Sequence, residues 1–229
     1  MKIVILAAGK GSRLGGKEIP KPLTLLSNGM SILQYQLSQL AKHFSLHDLY
    51  IVVGYHKELI MQAFPEACYV YNPRFADENT SKSLLRALKK IDDDVLWLNG
   101  DVVFHPSVLK KIGISLNNAM LVNICDVGEE EVAYRTDGRG KILKVAKKLV
   151  TPEGEALGIN FFKRDSLEIL REQLELCQSN DYFEKAIEMS ISKGLEVWTL
   201  PVQKEECTEI DFPEDLERAN LLIQKWEKH

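Results

Sequence analysis

A chain of 229 residues is long enough to bury one full core. Its formal net charge of −4 excludes the broad basic field that nucleic acid or an anionic membrane surface would require. Its four cysteines, Cys68, Cys125, Cys177 and Cys207, have no paired spacing, which excludes a disulfide scaffold and a zinc motif and predicts reduced thiols in a cytoplasmic setting.

The first half alternates strand and helix. Ile3–Leu6 is an apolar strand that empties into a small-residue loop. Ser31 is placed to cap a helix carrying Leu33, Leu37 and Leu40 on one face. A buried strand is predicted at 48–53, a short helix at 56–64 and a third strand at 67–71. Asn79 or Thr80 caps the next helix, with Leu84, Leu85 and Leu88 on one side, and 95–98 is a fourth strand running into Asn99-Gly100-Asp101. This βαβα rhythm predicts an α/β fold: a mostly parallel sheet with helices on both faces. The second half changes character. Strands are predicted at 119–124, 131–135 and 141–146, the last two joined by a hairpin at Asp137-Gly138-Arg139-Gly140. A further strand is predicted at 158–162, then helices at 165–177 and 182–193, then strands at 195–200 and 207–210. Pro213 stands in the first turn of a closing helix. No run approaches the roughly 18–20 apolar residues of a membrane span, so no membrane insertion is expected, and a strand-like start is unlike a signal peptide.

Three segments carry chemistry. The loop Leu6-Ala7-Ala8-Gly9-Lys10-Gly11-Ser12-Arg13-Leu14, closed by Pro20-Lys21-Pro22, exposes backbone N–H groups to a large anion and brings the cations Arg13 and Lys21 within reach of it. It is neither a dinucleotide fingerprint, because the third glycine is missing, nor a Walker loop, because Gly-Lys-Ser/Thr is absent. Asp101 ends an apolar strand, so its carboxylate projects at the carboxyl edge of the sheet, where α/β folds bind ligands. Asp211 follows a short strand and precedes Glu214 and Asp215, which serve the helix terminus better and leave Asp211 free. Two such hard oxygen donors suit Mg²⁺. The third segment, 72–84, is a loop entering a helix and is rich in side chains able to read a base. His43 and His47 lack the acid of a metalloprotease motif, and no serine stands in a nucleophile elbow.

The pattern L-A-A-G-x-G-S-R-L followed by P-K-P resembles the signature of the nucleotidyltransferases that activate sugar phosphates, inositol phosphate or phosphocholine. Further matches run along almost the whole chain: Gly100-Asp101; Asn79 and Ser83 in N-x-x-F-x-x-x-N-x-x-x-S-L; Lys147 in G-x-I-x-x-V-x-K-x-L; Gly154-Glu155-x-x-Gly158-Ile; and Glu209-Ile-Asp211-x-Pro-Glu-Asp-Leu. The resemblance implies a Rossmann-like mixed sheet of the glycosyltransferase-A-like type, with a small β-rich acceptor lid, in a single domain over 1–229. It implies that Leu6, Ala7, Ala8, Gly9, Gly11 and Ser12 cradle the nucleotide, with Asn79 and Ser83 beside the base. Asp101 and Asp211 would hold Mg²⁺, Arg13 and Lys21 would act on the phosphates, Lys147 would lie near the acceptor phosphate, and Glu155 and Gly158 would border the acceptor. The implied reaction is transfer from CTP to a small phosphorylated alcohol, with inositol 1-phosphate favoured and phosphocholine or a phosphonate as alternatives. Sugar-1-phosphate transfer from UTP, GTP or dTTP, and a nucleotide-binding regulatory module without turnover, stay open. The partners implied are therefore CTP and the acceptor, with a homodimer as the assembly to test. Gly15-Gly16-Lys17-Glu18-Ile19 is shorter than the corresponding stretch of many relatives.

Overall fold

The computed structural model describes residues 1–11, 14, 18–113, 115, 117–124, 127–128 and 131–228. The elements run β1 (Lys2–Ala7), α1 (Ile32–Leu40), β2 (Leu49–Val53), α2 (Lys57–Ala63), β3 (Cys68–Tyr71), α3 (Thr80–Leu88), β4 (Val95–Asn99), β5 (Val102–Phe104), α4 (Ser107–Gly113), β6 (Ala119–Val122), β7 (Ala133–Thr136), β8 (Ile142–Ala146), β9 (Gly154–Phe162), α5 (Leu167–Leu176), α6 (Phe183–Ser192), β10 (Trp198–Pro201), β11 (Cys207–Glu209) and α7 (Pro213–Trp226). No helix among the described residues is long and apolar enough to cross a membrane.

The main sheet has the order β3-β2-β1-β4-β9-β6-β10. β1, β2, β3 and β4 are mutually parallel, β9 is antiparallel to β4 and β6, and β10 is parallel to β6. The apolar strands need both faces covered, and two-residue alternation divides them. Val4, Leu6, Val95 and Trp97 join Leu84, Leu88, Leu170 and Phe183 of α3, α5 and α6. Ile3, Ile5, Leu96 and Leu98 join Leu33 and Leu40 of α1, Ile60 of α2 and Leu109 of α4 on the other face. Trp97 fixes the first layer, its ring 4.8 Å from that of Phe162 and edge-on to Phe183 at 5.7 Å. A smaller cluster packs Ala219 and Ile223 of α7 on Leu26, Ile32 and Val103.

Local signals hold where they are strong. Ser31 accepts a hydrogen bond from the Gln34 N–H, capping α1, and Asn79 accepts one from the Thr80 N–H at the head of α3. Two elements lie outside the expected set, β5 and α4. β9 begins at Gly154 instead of Gly158 because its first residues pair with β7, Glu155 with Ala133 and Gly154 with Tyr134. That pairing builds the lid, a β8-β7-β9 sheet that continues from the first residues of β9, an interior strand of the main sheet. β10 begins at Trp198 instead of 195: Leu195 and Val197 are buried but lie outside the ladder, and the Val197 carbonyl accepts from the Ile142 N–H.

Candidate active site

β1 crosses to β2 on one side and has β4 on the other, so the strand order reverses between β1 and β4. Crevices at such points bind ligands at the carboxyl ends of the strands. Here a cleft of about 630 Å³ opens there, bordered by Leu6, Ala7, Gly9, Gly11, Asn99, Gly100 and Asp101 at the sheet and by β9, α6 and β11 beyond. Gly100 is required at the strand end: a Cβ would meet the Leu6 carbonyl oxygen at 2.8 Å, and its N–H donates to that same oxygen. The fully buried Gln36 of α1 donates to the carbonyls of Asn99 and Val102, which pins the turn carrying Asp101.

β5 pairs antiparallel with β11, Val102 opposite Glu209, and the Ile210 N–H donates to the Asp101 carbonyl. The ladder therefore ends with Asp101 and Asp211 side by side. Asp215 accepts the N–H groups of both Asp211 and Phe212, taking the capping role and leaving the Asp211 carboxylate for the cleft. Lys21 completes the group. Pro20 and Pro22 flank it in a 3-10 turn, and its side chain passes under Gly11, where an added Cβ would meet the Lys21 Cβ at 2.5 Å. The Lys21 Nζ donates to Asp101 at 2.6 Å and to Asp211 at 2.7 Å, with only 8% of the residue exposed. Burial works against the Lys21 charge, but Asp101 and then Asp211 outweigh it and hold the ammonium above its ordinary range.

The far part of the cleft is acidic. Glu155, on β9, accepts from the Asn123 amide at 2.8 Å; burial, aided by the charge of Glu131, pushes its carboxyl up to about 7. Glu209 accepts from the Gly158 N–H at 3.0 Å, and burial, with Asp101 and Glu155 nearby, raises it well above the usual carboxylate range. Glu184, in the first turn of α6, is 8% exposed, and burial pushes it up to about 7. Lys147 follows β8 and places its ammonium 4.6 Å from the centre of the Tyr182 ring. Cys207 borders the cleft, but burial pushes its thiol up, so it offers no thiolate nucleophile.

The structure thus brings Leu6, Ala7, Gly9, Gly11, Lys21, Asn79, Asp101, Lys147, Glu155 and Asp211 to one cleft. Arg13 and Ser12 lie outside the described residues. Three expected residues do not border it. The Ala8 carbonyl accepts from the Tyr55 N–H and packs under Gly54. Ser83 is buried, its hydroxyl taken by the Asn72 amide at 3.1 Å, so it braces the loop at 72–79 from behind. Gly158 gives space instead of contact: a Cβ there would meet the Asn99 amide nitrogen at 2.4 Å and Glu209 Oε1 at 2.5 Å. Of the four aromatic residues that the sequence offers for caging a quaternary ammonium, Tyr134, Tyr182, Phe183 and Trp198, Tyr182 borders the cleft, whereas Tyr134 and Phe183 are buried in the core and Trp198 lies in β10, away from it. Asn99, Asn123, Glu184 and Glu209 are site residues that sequence reasoning did not single out. Glu209 was in view within Glu-Ile-Asp, but Glu184 reads as an ordinary first-turn acid of a helix.

Residues 3–172, well over half the chain, match the MobA-like NTP transferase domain. The chain belongs to that family. It is 38% identical over 120 residues to CMP-5'-(3-aminopropyl)phosphonate synthase of Streptomyces rubellomurinus, an alignment covering 49% of this chain and 19% of that protein. It is 27% identical over 238 residues to bifunctional protein GlmU of Methanococcus aeolicus, covering 98% of this chain and 55% of that one. The chain therefore spans about half the length, or less, of these two relatives. Among solved structures, the inositol-1-phosphate CTP transferase from T. maritima superposes with a TM-score of 0.80 over 99% of this chain and 96% of that one, at 19% identity. The fold of this MobA-like domain is thus the mixed, mostly parallel nucleotidyltransferase sheet with flanking helices.

Proposed function

We propose that this chain, acting as a single nucleotidyltransferase domain, transfers the cytidylyl group of CTP to a small phosphorylated acceptor and releases pyrophosphate. The observation that carries the reading is the meeting of Lys21, Asp101 and Asp211, within 2.7 Å contacts, at the strand-reversal crevice. CTP is chosen because a similar sequence is named for a CMP product and a similar fold for CTP.

The chemistry asks little of proton transfer. The acceptor phosphate is already an anion; its oxygen bonds to the α-phosphorus while the α–β bridging oxygen leaves with pyrophosphate. Positioning and charge neutralisation supply most of the rate. The backbone at Leu6–Gly11 lies against the triphosphate, Asn79 against the base and Lys147 against the acceptor phosphate; the family resemblance assigns Arg13 to the leaving pyrophosphate. Lys21 has two roles in sequence. Without nucleotide it pairs with both Asp101 and Asp211; an arriving triphosphate offers it a stronger anion and frees both carboxylates.

The freed carboxylates suit Mg²⁺. Asp101 Oδ1 is buried and has no hydrogen-bond partner among the described residues, as expected of an oxygen kept for a cation. Among those residues no group of three or more His, Cys, Asp or Glu could hold a metal alone. That fits an ion which prefers one or two carboxylates plus substrate phosphates. Bound with the nucleotide, the ion would neutralise triphosphate oxygens and stabilise the departing pyrophosphate.

The test is pyrophosphate release from CTP, UTP, GTP, ATP and dTTP, each with Mg²⁺ and a panel of phosphorylated alcohols, sugars and phosphonates. Release that depends on CTP and an acceptor is expected. Preference for UTP, GTP or dTTP would move the chain to the sugar-phosphate class, and nucleotide binding without release would make it a regulatory module.

A further inference from the structure

We infer that the acceptor carries a protonated primary amine and that Glu184 receives it; the inference rests on the transfer reading above. Glu184 borders the cleft, yet its Oε2 is buried and has no hydrogen-bond partner among the described residues. A buried carboxylate oxygen without a donor is costly, so the site is incomplete as it stands. Among the described residues no cation pairs with Glu184 Oε2. Lys147 is the positive charge that Glu184 feels, and its ammonium lies over the Tyr182 ring. Lys21 is held by Asp101 and Asp211, and Arg218 by Thr208 and Asp215. Glu155 and Glu209 are further buried carboxyl groups at the same end, where burial works against their ionisation unless a cation joins them.

Ligand chemistry decides among acceptors. A polyol brings donors but no charge, and would leave this acidic end uncompensated. A quaternary ammonium brings charge but no N–H for Oε2. A primary ammonium brings both, and forms a charge-assisted hydrogen bond in a desolvated place. With the phosphate held toward Lys21 and Lys147, the class is an aminoalkyl phosphate or phosphonate, in preference to inositol 1-phosphate.

The experiment compares 2-aminoethylphosphonate and phosphoethanolamine with phosphocholine and inositol 1-phosphate, using CTP and the wild-type chain, then Glu184→Gln. The two primary amines are expected to lead by about 30-fold or more in kcat/KM, and Glu184→Gln to raise their KM by about 100-fold. The KM for CTP stays unchanged. The ligand-free melting temperature holds or rises, because glutamine removes an unpartnered charge; a purely structural Glu184 would instead lose stability and all acceptors alike. Best use of inositol 1-phosphate, or an amine KM indifferent to Glu184→Gln, overturns the inference while transfer stands. Calorimetry of 2-aminoethylphosphonate with the CTP-loaded protein separates the two ideas. Glu184-dependent binding without pyrophosphate release sinks transfer and keeps the amine site, and absence of binding sinks the amine site.

Discussion

The two ends of the cleft handle charge in opposite ways. At the sheet edge one ammonium lies between two carboxylates, and both carboxylates are ion-paired before any ligand arrives. At the lid end, Glu155, Glu184 and Glu209 are buried together, and among the described residues they meet an amide, a backbone N–H and a distant lysine instead of ion pairs. The first end is complete and must be opened; the second is incomplete and must be filled. A nucleotide that arrives with a divalent cation suits the first, because it offers Lys21 a new anion and the carboxylates a new cation. A cationic acceptor suits the second. The difference also separates stability from function: pairing at the sheet edge stabilises the free protein, whereas unpaired burial at the lid costs stability that a ligand can restore.

The largest effect is expected at the sheet edge. Lys21→Met should lower turnover by at least ~100-fold, the loss of one preorganised charge at a developing anion. The same variant leaves Asp101 and Asp211 without their cation, so Mn²⁺ binding without nucleotide, read by electron paramagnetic resonance, should tighten by about tenfold or more. Unchanged Mn²⁺ affinity would mean that Lys21 does not hold the carboxylates in reserve.

The next effect belongs to the lid end and is read by pH. Glu155 and Glu184 lie at about 7, above their usual 4.5. An acid raised on folding stabilises the folded state when protonated. Its contribution is full below about 4.5 and lost as pH rises through about 7. The ligand-free protein should therefore be more stable to unfolding at pH about 6 than at pH about 8, by on the order of 2 kcal/mol for the two groups together. Lys147 and Glu209 face Glu184, and Glu131, Glu209, Lys204 and Arg218 face Glu155. Glu184→Gln should remove part of the slope. A flat profile between those pH values would mean that neither group is buried as described.

The smallest effect tests a residue behind the cleft. Ser83→Ala removes the partner of the buried Asn72 amide and should cost about 1 kcal/mol in chemical denaturation, leaving the KM for CTP unchanged. A raised KM with unchanged stability would return Ser83 to the nucleotide, where the family resemblance places it.

Much of this was legible in the residues. Ile3–Leu6 and Val95–Leu98 read as buried strands because apolar side chains are continuous there, and Ser31, Asn79 and Pro213 announced their helices because capping is a local bond. The pairing of Asp101 with Asp211 could be guessed from their places at strand ends. Glu184 could not, since a first-turn acid normally faces water, and only the packing of α6 against the sheet and lid encloses it.

The sequence by itself determined which segments of the first half are strands and helices, that they alternate into a mostly parallel sheet, and that a small-residue loop follows its first strand and Asp101 ends its fourth. These follow from periodicity, capping and turn chemistry, all of which act within a few residues. The tertiary structure alone decided who meets whom: that Lys21 rests between Asp101 and Asp211, that Ser83 turns to Asn72, and that Glu155, Glu184 and Glu209 share one desolvated space. Burial and charge pairing depend on surfaces contributed by elements far apart in the chain, so no local pattern records them.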